Sequence, residues 1–382
     1  MMQDHARLQC YMDDPLLIIM GDQRTRDSVV SRLLYTARIF GVNLAYEKGE
    51  RGSKVCWIGV TIEVNQEGEE IIVGIPQKLI DEITQKLTSW SGMVSLRELK
   101  STTGKLSWLA GTLPRTRWAV AMLYGALADA EREEKEDLEG KRAARRANDQ
   151  RPKRGLVAVK RVELARRWLL AYLAQDEAWR SWHVPMAPVP LKWSITTDAS
   201  PYGVGAILAV VDKDMEELTP TVAFRGKITR NVAQTLGIPF HEAAGQAVLE
   251  AWTVLLAIRY WKSTVKGGRL LIKSDSTVAL ALAKRLSSST PVLNWVGGEM
   301  TILLGHLQMG ELVTHHLPGK LNVEADYLSR PDLTGPPPGR IQDVSIRQVN
   351  EAWMLESTLP PPGVEPSLWG RTPPVSAVFD CI

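Results

Sequence analysis

The stretch Trp193-Ser-Ile-Thr-Thr-Asp198-Ala-Ser-Pro-Tyr-Gly-Val-Gly-Ala-Ile-Leu208 begins with side chains that alternate between two faces. This period of two is typical of a β-strand. A turn follows at residues 199–203, and then a second apolar run. The pattern predicts a central strand that ends in a carboxylate, Asp198, beside small residues. An aspartate that merely opens a turn would give the same local pattern, so the interpretation depends on whether other carboxylates converge on Asp198.

The composition indicates an ordinary globular chain. It has 382 residues, a formal net charge of +3 and 45% hydrophobic residues, which suits two or three domains. The cysteines are scattered at Cys10, Cys56 and Cys381 without a CxxC motif, so we expect neither a disulfide framework nor a zinc site. The apolar run 15–20 is too short to span a bilayer and no signal-peptide pattern is present. We therefore expect an intracellular protein, cytoplasmic or nuclear, without membrane contact.

Residues 190–330 read as one α/β unit. Three strand patterns come first, and helical patterns then alternate with further strand patterns. The order predicts an antiparallel trio extended by parallel strands, which together form a mixed five-stranded sheet flanked by helices. The predicted strands lie near residues 193–198, 204–211, 221–224, 269–275 and 312–316, and the main helices near 242–261, 276–285 and 291–304.

Four acids of this unit lie at strand ends or on helices where their side chains could meet. Asp198 ends the first strand, and Asp275 ends the strand after the crossover helix, where parallel sheets place their sites. Glu250 interrupts an apolar helical stripe, where an unpaired charge is costly. Asp326 lies in the first turn of the last helix. Each has a structural alternative: Asp275 could cap a helix, Glu250 could border the stripe and reach solvent, and Asp326 could complement a helix dipole. Their joint placement favours one shared site.

The N-terminal region carries a second acidic motif. Tyr11-Met12-Asp13-Asp14 is predicted at the tip of a hairpin, and a helix, a loop ending at Lys48 and a hairpin at 55–63 follow. Two carboxylates on a tight hairpin can hold metal ions against a triphosphate. A simple polar turn tip remains the alternative.

The remaining segments organise the chain. Residues 74–185 are rich in amphipathic helical patterns, with a capping box at Ser95–Glu98. The charge run 131–154 predicts an exposed helix or a mobile linker, with nucleic-acid contact by its basic half as the alternative. Residues 185–190 form a proline-rich linker, and the proline-rich residues 331–382 predict a tail without its own fold.

The N-terminal motifs, in this order, resemble the second half of a reverse transcriptase palm. The resemblance rests on the tetrapeptide 11–14, on Gly41–Lys48 and on Trp57-Ile-Gly59. It implies that Tyr11, Met12, Asp13, Asp14 and Lys48 are remnants of a polymerase site, with Asp13 and Asp14 as metal ligands. The family also needs a third aspartate on an earlier strand, and the ten residues before Tyr11 leave no room for that strand. We therefore expect no polymerisation by this chain alone, and as partner either the missing N-terminal polymerase part or a dimer partner.

The C-terminal motifs resemble the RNase H domain of retroelement polyproteins, most like retrotransposons of the long-terminal-repeat or tyrosine-recombinase (DIRS-like) kind. The matching stretches are Thr197-Asp198-Ala-Ser, Glu250 with Leu256-Ala257, Ser274-Asp275-Ser, and His316-Leu-Pro-Gly-Lys-Leu-Asn322-Val-Glu-Ala-Asp326-Tyr-Leu-Ser-Arg330. The resemblance implies a truncated palm at 1–73, a helical thumb and connection at 74–185, an RNase H domain at 190–330 and the tail at 331–382.

This resemblance also implies a chemistry. Asp198, Glu250, Asp275 and Asp326 would bind two Mg²⁺ or Mn²⁺ ions, in keeping with the preference of these metals for oxygen ligands. His316 aligns with a loop histidine that assists proton transfer or product release, although it could simply bond a backbone carbonyl.

Two further residues, Asn322 and Arg330, belong to the predicted site, whereas His315 does not. Strand alternation would point His315 away from it. Asn322 is expected to cap the last helix and, with Arg330, to contact nucleic acid.

The sequence therefore predicts an RNase H-type endoribonuclease that cleaves the RNA strand of RNA/DNA hybrids. A catalytically inactive, nucleic-acid-binding relic of a retroelement polymerase is the alternative. A nuclease of the same fold acting on other nucleic acids is a third possibility, which the order of the palm-like and nuclease-like motifs disfavours.

Overall fold

The computed structural model describes residues 6–11, 14–65, 70–138, 155–177, 179–186, 189–214, 216–309 and 311–356. Its contacts divide the chain into two compact units. Unit 1 holds residues 1–78 and 181–186, and unit 2 holds residues 79–180 and 187–382. None of the helices among the described residues combines the length and the apolar character needed to cross a membrane.

Unit 1 contains two antiparallel sheets and a helix. The first sheet is the predicted hairpin, β1 (Ala6–Tyr11) with β2 (Asp14–Ile19), in which Tyr11 pairs with Asp14. Helix α1 (Gln23–Ile39) follows, capped by the Asp22 side chain. In chain-order numbering, the second sheet has the order β3-β4-β5-β8. Its strands are β3 (Lys54–Trp57), β4 (Val60–Val64), β5 (Glu70–Gly74) and β8 (Trp182–Pro185).

Strand β8 lies at the end of the segment 74–185, for which the sequence predicts helices and a charged linker but no strand. Its backbone pairs with β5, Ile72 opposite His183. The apolar spacing near Trp182 could not reveal this, because the strand forms only by pairing with a segment more than a hundred residues earlier.

The first part of unit 2 is the predicted helical segment. Ser95 caps α3 by accepting a hydrogen bond from the Glu98 backbone N–H at 3.1 Å, as the capping box predicted. Trp118, Trp168 and Tyr172 pack with ring centroids 5.1 Å apart, so these aromatic side chains belong to the core. The segment comprises α2 (Gln77–Ser89), β6 (Met93–Ser95), α3 (Leu96–Thr112), α4 (Arg117–Leu138), β7 (Leu156–Ala158) and α5 (Glu163–Leu173).

A mixed sheet dominates the rest of unit 2. Strands β9, β10 and β11 are antiparallel neighbours, β12 runs parallel to β9, and β13 runs parallel to β12, as predicted. In the described chain the sheet has six strands, one more than predicted, in the order β13-β12-β9-β10-β11-β14. They are β9 (Leu191–Ala199), β10 (Gly203–Val211), β11 (Glu217–Lys227), β12 (Arg269–Ser274), β13 (Leu312–His316) and β14 (Ile346–Val349).

Helices cover both faces of this sheet. Ile195 and Ala206 belong to the large core cluster beneath α7, whereas Ile207 and Ala223 pack with Leu328 of α11. Alternation along each strand therefore divides its side chains between two cores. The helices are α6 (Arg230–Thr235), α7 (Gln246–Tyr260), α8 (Lys262–Val265), α9 (Thr277–Arg285), α10 (Pro291–His306), α11 (Val323–Ser329) and α12 (Glu351–Met354).

The sixth strand corrects the prediction of a tail without structure from residue 331. Strand β14 pairs in parallel with β11, and Met354 of α12 is buried at the main core. Arg259 of α7 donates to the backbone carbonyls of Trp353 and Met354, and its guanidinium lies 4.7 Å from the Trp353 ring centroid. A few apolar side chains thus dock onto an existing sheet, which proline content could not reveal. Residues 357–382 lie outside the described part.

Candidate active site

Asp198 lies near the end of the central strand β9 with only 7% of its surface exposed. Its position in the sheet pairs it with Gly205 of β10. Gly205 lies against Leu328 of α11, whereas Ile195 of β9 belongs to the core cluster beneath α7, so the predicted alternation along β9 is observed. A buried carboxylate of this kind needs donors or a compensating charge.

Two glycines let helix α11 approach the sheet next to Asp198. A Cβ atom on Gly205 would lie 2.8 Å from the Ser329 backbone nitrogen, and one on Gly203 would lie 2.7 Å from the Ser329 carbonyl oxygen. Both distances are far below van der Waals contact, so any larger residue would push the helix away. The close approach brings Asp326 of α11 to the same side of the sheet as Asp198.

Asp275 follows β12 and faces the loop after β13. A Cβ on Gly319 would lie 3.0 Å from its Oδ2, so the loop passes directly against the carboxylate. Asp275 is not the helix cap, because Ser276 accepts the hydrogen bond from the Ala279 backbone N–H at 3.2 Å. His316 Nε2 lies 3.2 Å from the Asp275 carbonyl oxygen. The backbone contact left open for His316 is therefore present, at the edge of the site.

Glu250 reaches the site from α7. Its Oε1 accepts a hydrogen bond from Gln246 Nε2 at 3.1 Å, and the same amide donates to the Ala199 carbonyl at the end of β9. Gln246 thus ties Glu250 to the strand of Asp198. It was missed from the sequence, although residues four apart on a helix share a face.

Asp326 lies in the first turn of α11, as predicted. Its Oδ1 accepts from Arg330 Nη2 at 2.6 Å and from Arg330 Nε at 3.1 Å. Arg330, expected to contact nucleic acid, thus pairs with a site acid in this structure.

Asn322 was expected to cap the last helix and to contact nucleic acid, and the structure shows neither. It lies before α11 but makes no side-chain cap. With 2% of its surface exposed, it faces the protein interior, not a ligand surface. Its Nδ2 donates to the Thr197 carbonyl at 3.2 Å and lies 3.4 Å from Asp198 Oδ1. The Ser329 side chain lies near enough to lower the pKa of Asp198, and its hydroxyl donates to the Asp326 carbonyl at 2.9 Å. A local motif gives no direction for a side chain, so these tertiary contacts were not predictable.

The charges of the other three acids act on Asp198. Burial raises the pKa of Asp198 from 3.8 to about 7, the Ser329 side chain opposes this, and the charges of Asp275, Asp326 and Glu250 add to it. Three acids from three different elements therefore act on the fourth. This clustering argues against treating Asp198 as a mere turn residue.

The donor set suits a hard divalent cation. Carboxylate oxygens are the ligands that Mg²⁺ and Mn²⁺ prefer, and a cation would offset the repulsion that raises the Asp198 pKa. Within the described residues, however, no three acidic, histidine or cysteine side chains stand in the arrangement of a formed metal site. Neutral donors and Arg330 hold the acids instead.

The predicted polymerase residues are placed only in part. Tyr11 ends β1 and is 55% exposed, and Asp14 begins β2, where Trp57 Nε1 donates to its carbonyl at 3.0 Å. Lys48 is exposed at the end of a short 3-10 helix. Met12 and Asp13 lie outside the described residues.

No protein-family model matches the chain, and no curated protein matches it. Solved structures do show likeness. LC11-RNase H1, isolated from compost by a metagenomic approach, is 16% identical with a TM-score of 0.26 and covers 36% of this chain and 91% of its own. RNase H1 of the halophilic archaeon Halobacterium salinarum NRC-1 is 15% identical with a TM-score of 0.25 and covers 36% and 92%.

A third likeness extends over more of the chain. The foamy viral protease-reverse transcriptase, solved in complex with an RNA/DNA hybrid, is 12% identical with a TM-score of 0.34. The match covers 87% of this chain but only 38% of the viral protein. Likenesses at these identities and TM-scores do not assign the chain to a family.

Proposed function

We propose that unit 2 carries an RNase H-type endonuclease that hydrolyses the RNA strand of RNA/DNA hybrids with two divalent cations. The observation that carries the proposal is the convergence of Asp275, Asp326 and Glu250 on the buried Asp198, whose pKa they help to raise. Clustered carboxylates with perturbed pKa values are typical of catalytic sites. The mixed sheet and the order of its strands suit this function, as does the motif of residues 316–330.

The four carboxylates would hold the cations, Mg²⁺ or Mn²⁺. When bound, such ions activate the attacking water and stabilise the charge on the leaving 3′-oxygen. Asn322 would orient the Asp198 carboxylate through its hydrogen bond to Oδ1. Gln246 holds Glu250 in the same way.

His316 has the position for a proton-transfer role. It is exposed at the end of β13, next to the Asp275 backbone, so solvent and product can reach its ring. A histidine there can pass a proton between the site and bulk water. Substrate choice would come from contacts with 2′-hydroxyl groups and from groove shape, because A-like helices are recognised by these features and not by base reading.

Hydrolysis of a labelled hybrid tests the proposal. Purified chain is incubated with a hybrid labelled on its RNA strand, with Mg²⁺ or with a chelator, beside Asp275→Asn. We expect cleavage only with Mg²⁺ and only by the unsubstituted chain. DNA duplex and RNA duplex of the same sequence serve as substrate controls and should stay intact. Cleavage by Asp275→Asn at the original rate would contradict the proposed site.

A second candidate is an inactive, nucleic-acid-binding relic. The observation that favours it is the ion pair between Arg330 and Asp326, which occupies a predicted metal ligand. Hybrid binding without cleavage by either protein would support the relic. For unit 1 we propose only a polymerase remnant, resting on the Tyr11–Asp14 hairpin; a second polypeptide that completes a polymerase stays a prediction.

A further inference from the structure

Arg330 provides the only salt bridge to the four acids among the residues that the structure describes. Two of its three nitrogens, Nη2 and Nε, donate to Oδ1 of Asp326. The side-chain donors to Glu250 and Asp198 are the uncharged amides of Gln246 and Asn322. One guanidinium therefore pairs with one of the four carboxylates, and neutral groups hold two of the others.

The ion pair between Arg330 and Asp326 is weak enough for a divalent cation to replace the guanidinium. Both side chains are exposed, Arg330 by 56% and Asp326 by 42%. Exposed pairs four residues apart on a helix shift an equilibrium only about two- to fivefold. A divalent cation at Asp326 would compete with the guanidinium for the same carboxylate. The arginine could then leave its partner at little cost.

A released guanidinium next to this site has an obvious second partner. Arginine binds phosphate oxygens through paired N–H groups, as it binds carboxylates. The nucleic-acid backbone would bring such phosphates to the acids. Arg330 can thus bind the Asp326 carboxylate before substrate arrives and a backbone phosphate afterwards.

We propose that Arg330 alternates between these two anions. Without cations it neutralises Asp326; once cations bind the acids, it moves to a backbone phosphate of the bound nucleic acid. This inference rests on the proposed function and deepens it, because it makes one residue responsible both for restraining cation binding and for positioning substrate.

The proposal predicts two effects of opposite sign for Arg330→Gln. Without nucleic acid, Mn²⁺ followed by electron paramagnetic resonance should bind about two- to fivefold more tightly, because a competing cation is gone. With Mn²⁺ present, and in an Asp275→Asn background that prevents turnover, hybrid binding by Arg330→Gln should weaken. The slope of log K against log salt concentration should become shallower by about one, as for the loss of one phosphate contact. Arg330→Lys should keep the slope but bind the hybrid less tightly.

Arg167→Gln is the matched control. Arg167 pairs with Glu163 at 3.2 Å, also four residues apart, with 54% and 35% exposure, on helix α5. Its loss should leave Mn²⁺ affinity unchanged. If Arg330→Gln binds Mn²⁺ with unchanged or lower affinity, Arg330 is only a helix-end ion pair and the proposal is overturned.

The two proposals fail in different ways. Cleavage by the unsubstituted chain together with an unaltered Mn²⁺ affinity in Arg330→Gln overturns the exchange alone. Tighter Mn²⁺ binding and weaker hybrid binding in this variant, without any cleavage by the unsubstituted chain, support the exchange and contradict the proposed nuclease.

Discussion

The side-chain amide of Asn322 lies 3.4 Å from Oδ1 of Asp198 and donates to the Thr197 carbonyl at 3.2 Å. One amide therefore links the loop after β13 to the strand that carries Asp198, the most buried of the four acids. Asn322→Ala removes this donor and leaves a buried carbonyl without its partner, which typically costs about 1–3 kcal/mol. Urea unfolding should show a loss of this size.

Asn322→Asp is the sharper variant. It keeps the shape of the side chain but adds a fifth carboxylate next to Asp198, so like charges repel when both are ionised. We expect it to be less stable than Asn322→Ala at pH 8 in chelator, and to recover part of the loss when Mg²⁺ is added. Stability equal to that of the unsubstituted chain at pH 8 would show that the contact does not form.

The stability of the cation-free protein should depend on pH through Asp198. Because its folded pKa, about 7, lies above 3.8, the folded state binds the extra proton between these values. Stability therefore falls as pH rises through this window, by up to about 4 kcal/mol. Asp198→Asn cannot ionise and escapes this loss.

Urea unfolding in chelator at pH 5 and pH 8 measures this effect. The stability of Asp198→Asn relative to the unsubstituted chain should rise between the two pH values. Asp343→Asn, at an exposed position, is the control and should show no such rise. A constant difference for Asp198→Asn would contradict the raised pKa of the buried Asp198.

His316 and His315 form an internal comparison. They are adjacent and both exposed, but only His316 contacts the backbone of Asp275. If His316 transfers a proton or helps product leave, His316→Ala should lower kcat by on the order of a hundredfold and change hybrid affinity little. His315→Ala should match the unsubstituted chain in both. Equal effects of the two substitutions in steady-state cleavage assays would rule out a specific role for His316.

The segment after residue 331 should contribute to folding. Met354 is 1% exposed and packs in the main core, whereas Met93 is 38% exposed. Met354→Ala should lower the free energy of unfolding by about 2–5 kcal/mol, since it leaves a cavity, and Met93→Ala by much less. Urea denaturation compares them. Equal, small losses would indicate that residues 346–354 do not dock as described.

Much of the mixed sheet of unit 2 and its helices could be predicted, because the sequence patterns that indicate them are local. Alternation around Asp198, the apolar helix around Glu250 and the strand before Asp275 each follow from periodicity. Strands β8 and β14 were not predictable, because each exists only through pairing with a distant strand. The roles of Asn322 and Gln246 also depend on tertiary contacts that spacing cannot supply.

We propose that the acids around Asp198 form one hydrolytic site. The most direct measurement follows an RNA/DNA hybrid, labelled on its RNA strand, during incubation with the purified chain and Mg²⁺, beside Asp198→Asn and Asp326→Asn. We expect fragments with 5′-phosphate and 3′-hydroxyl ends from the unsubstituted chain alone. Intact RNA in every sample, or cleavage by either variant at the rate of the unsubstituted chain, would rule out a shared hydrolytic site.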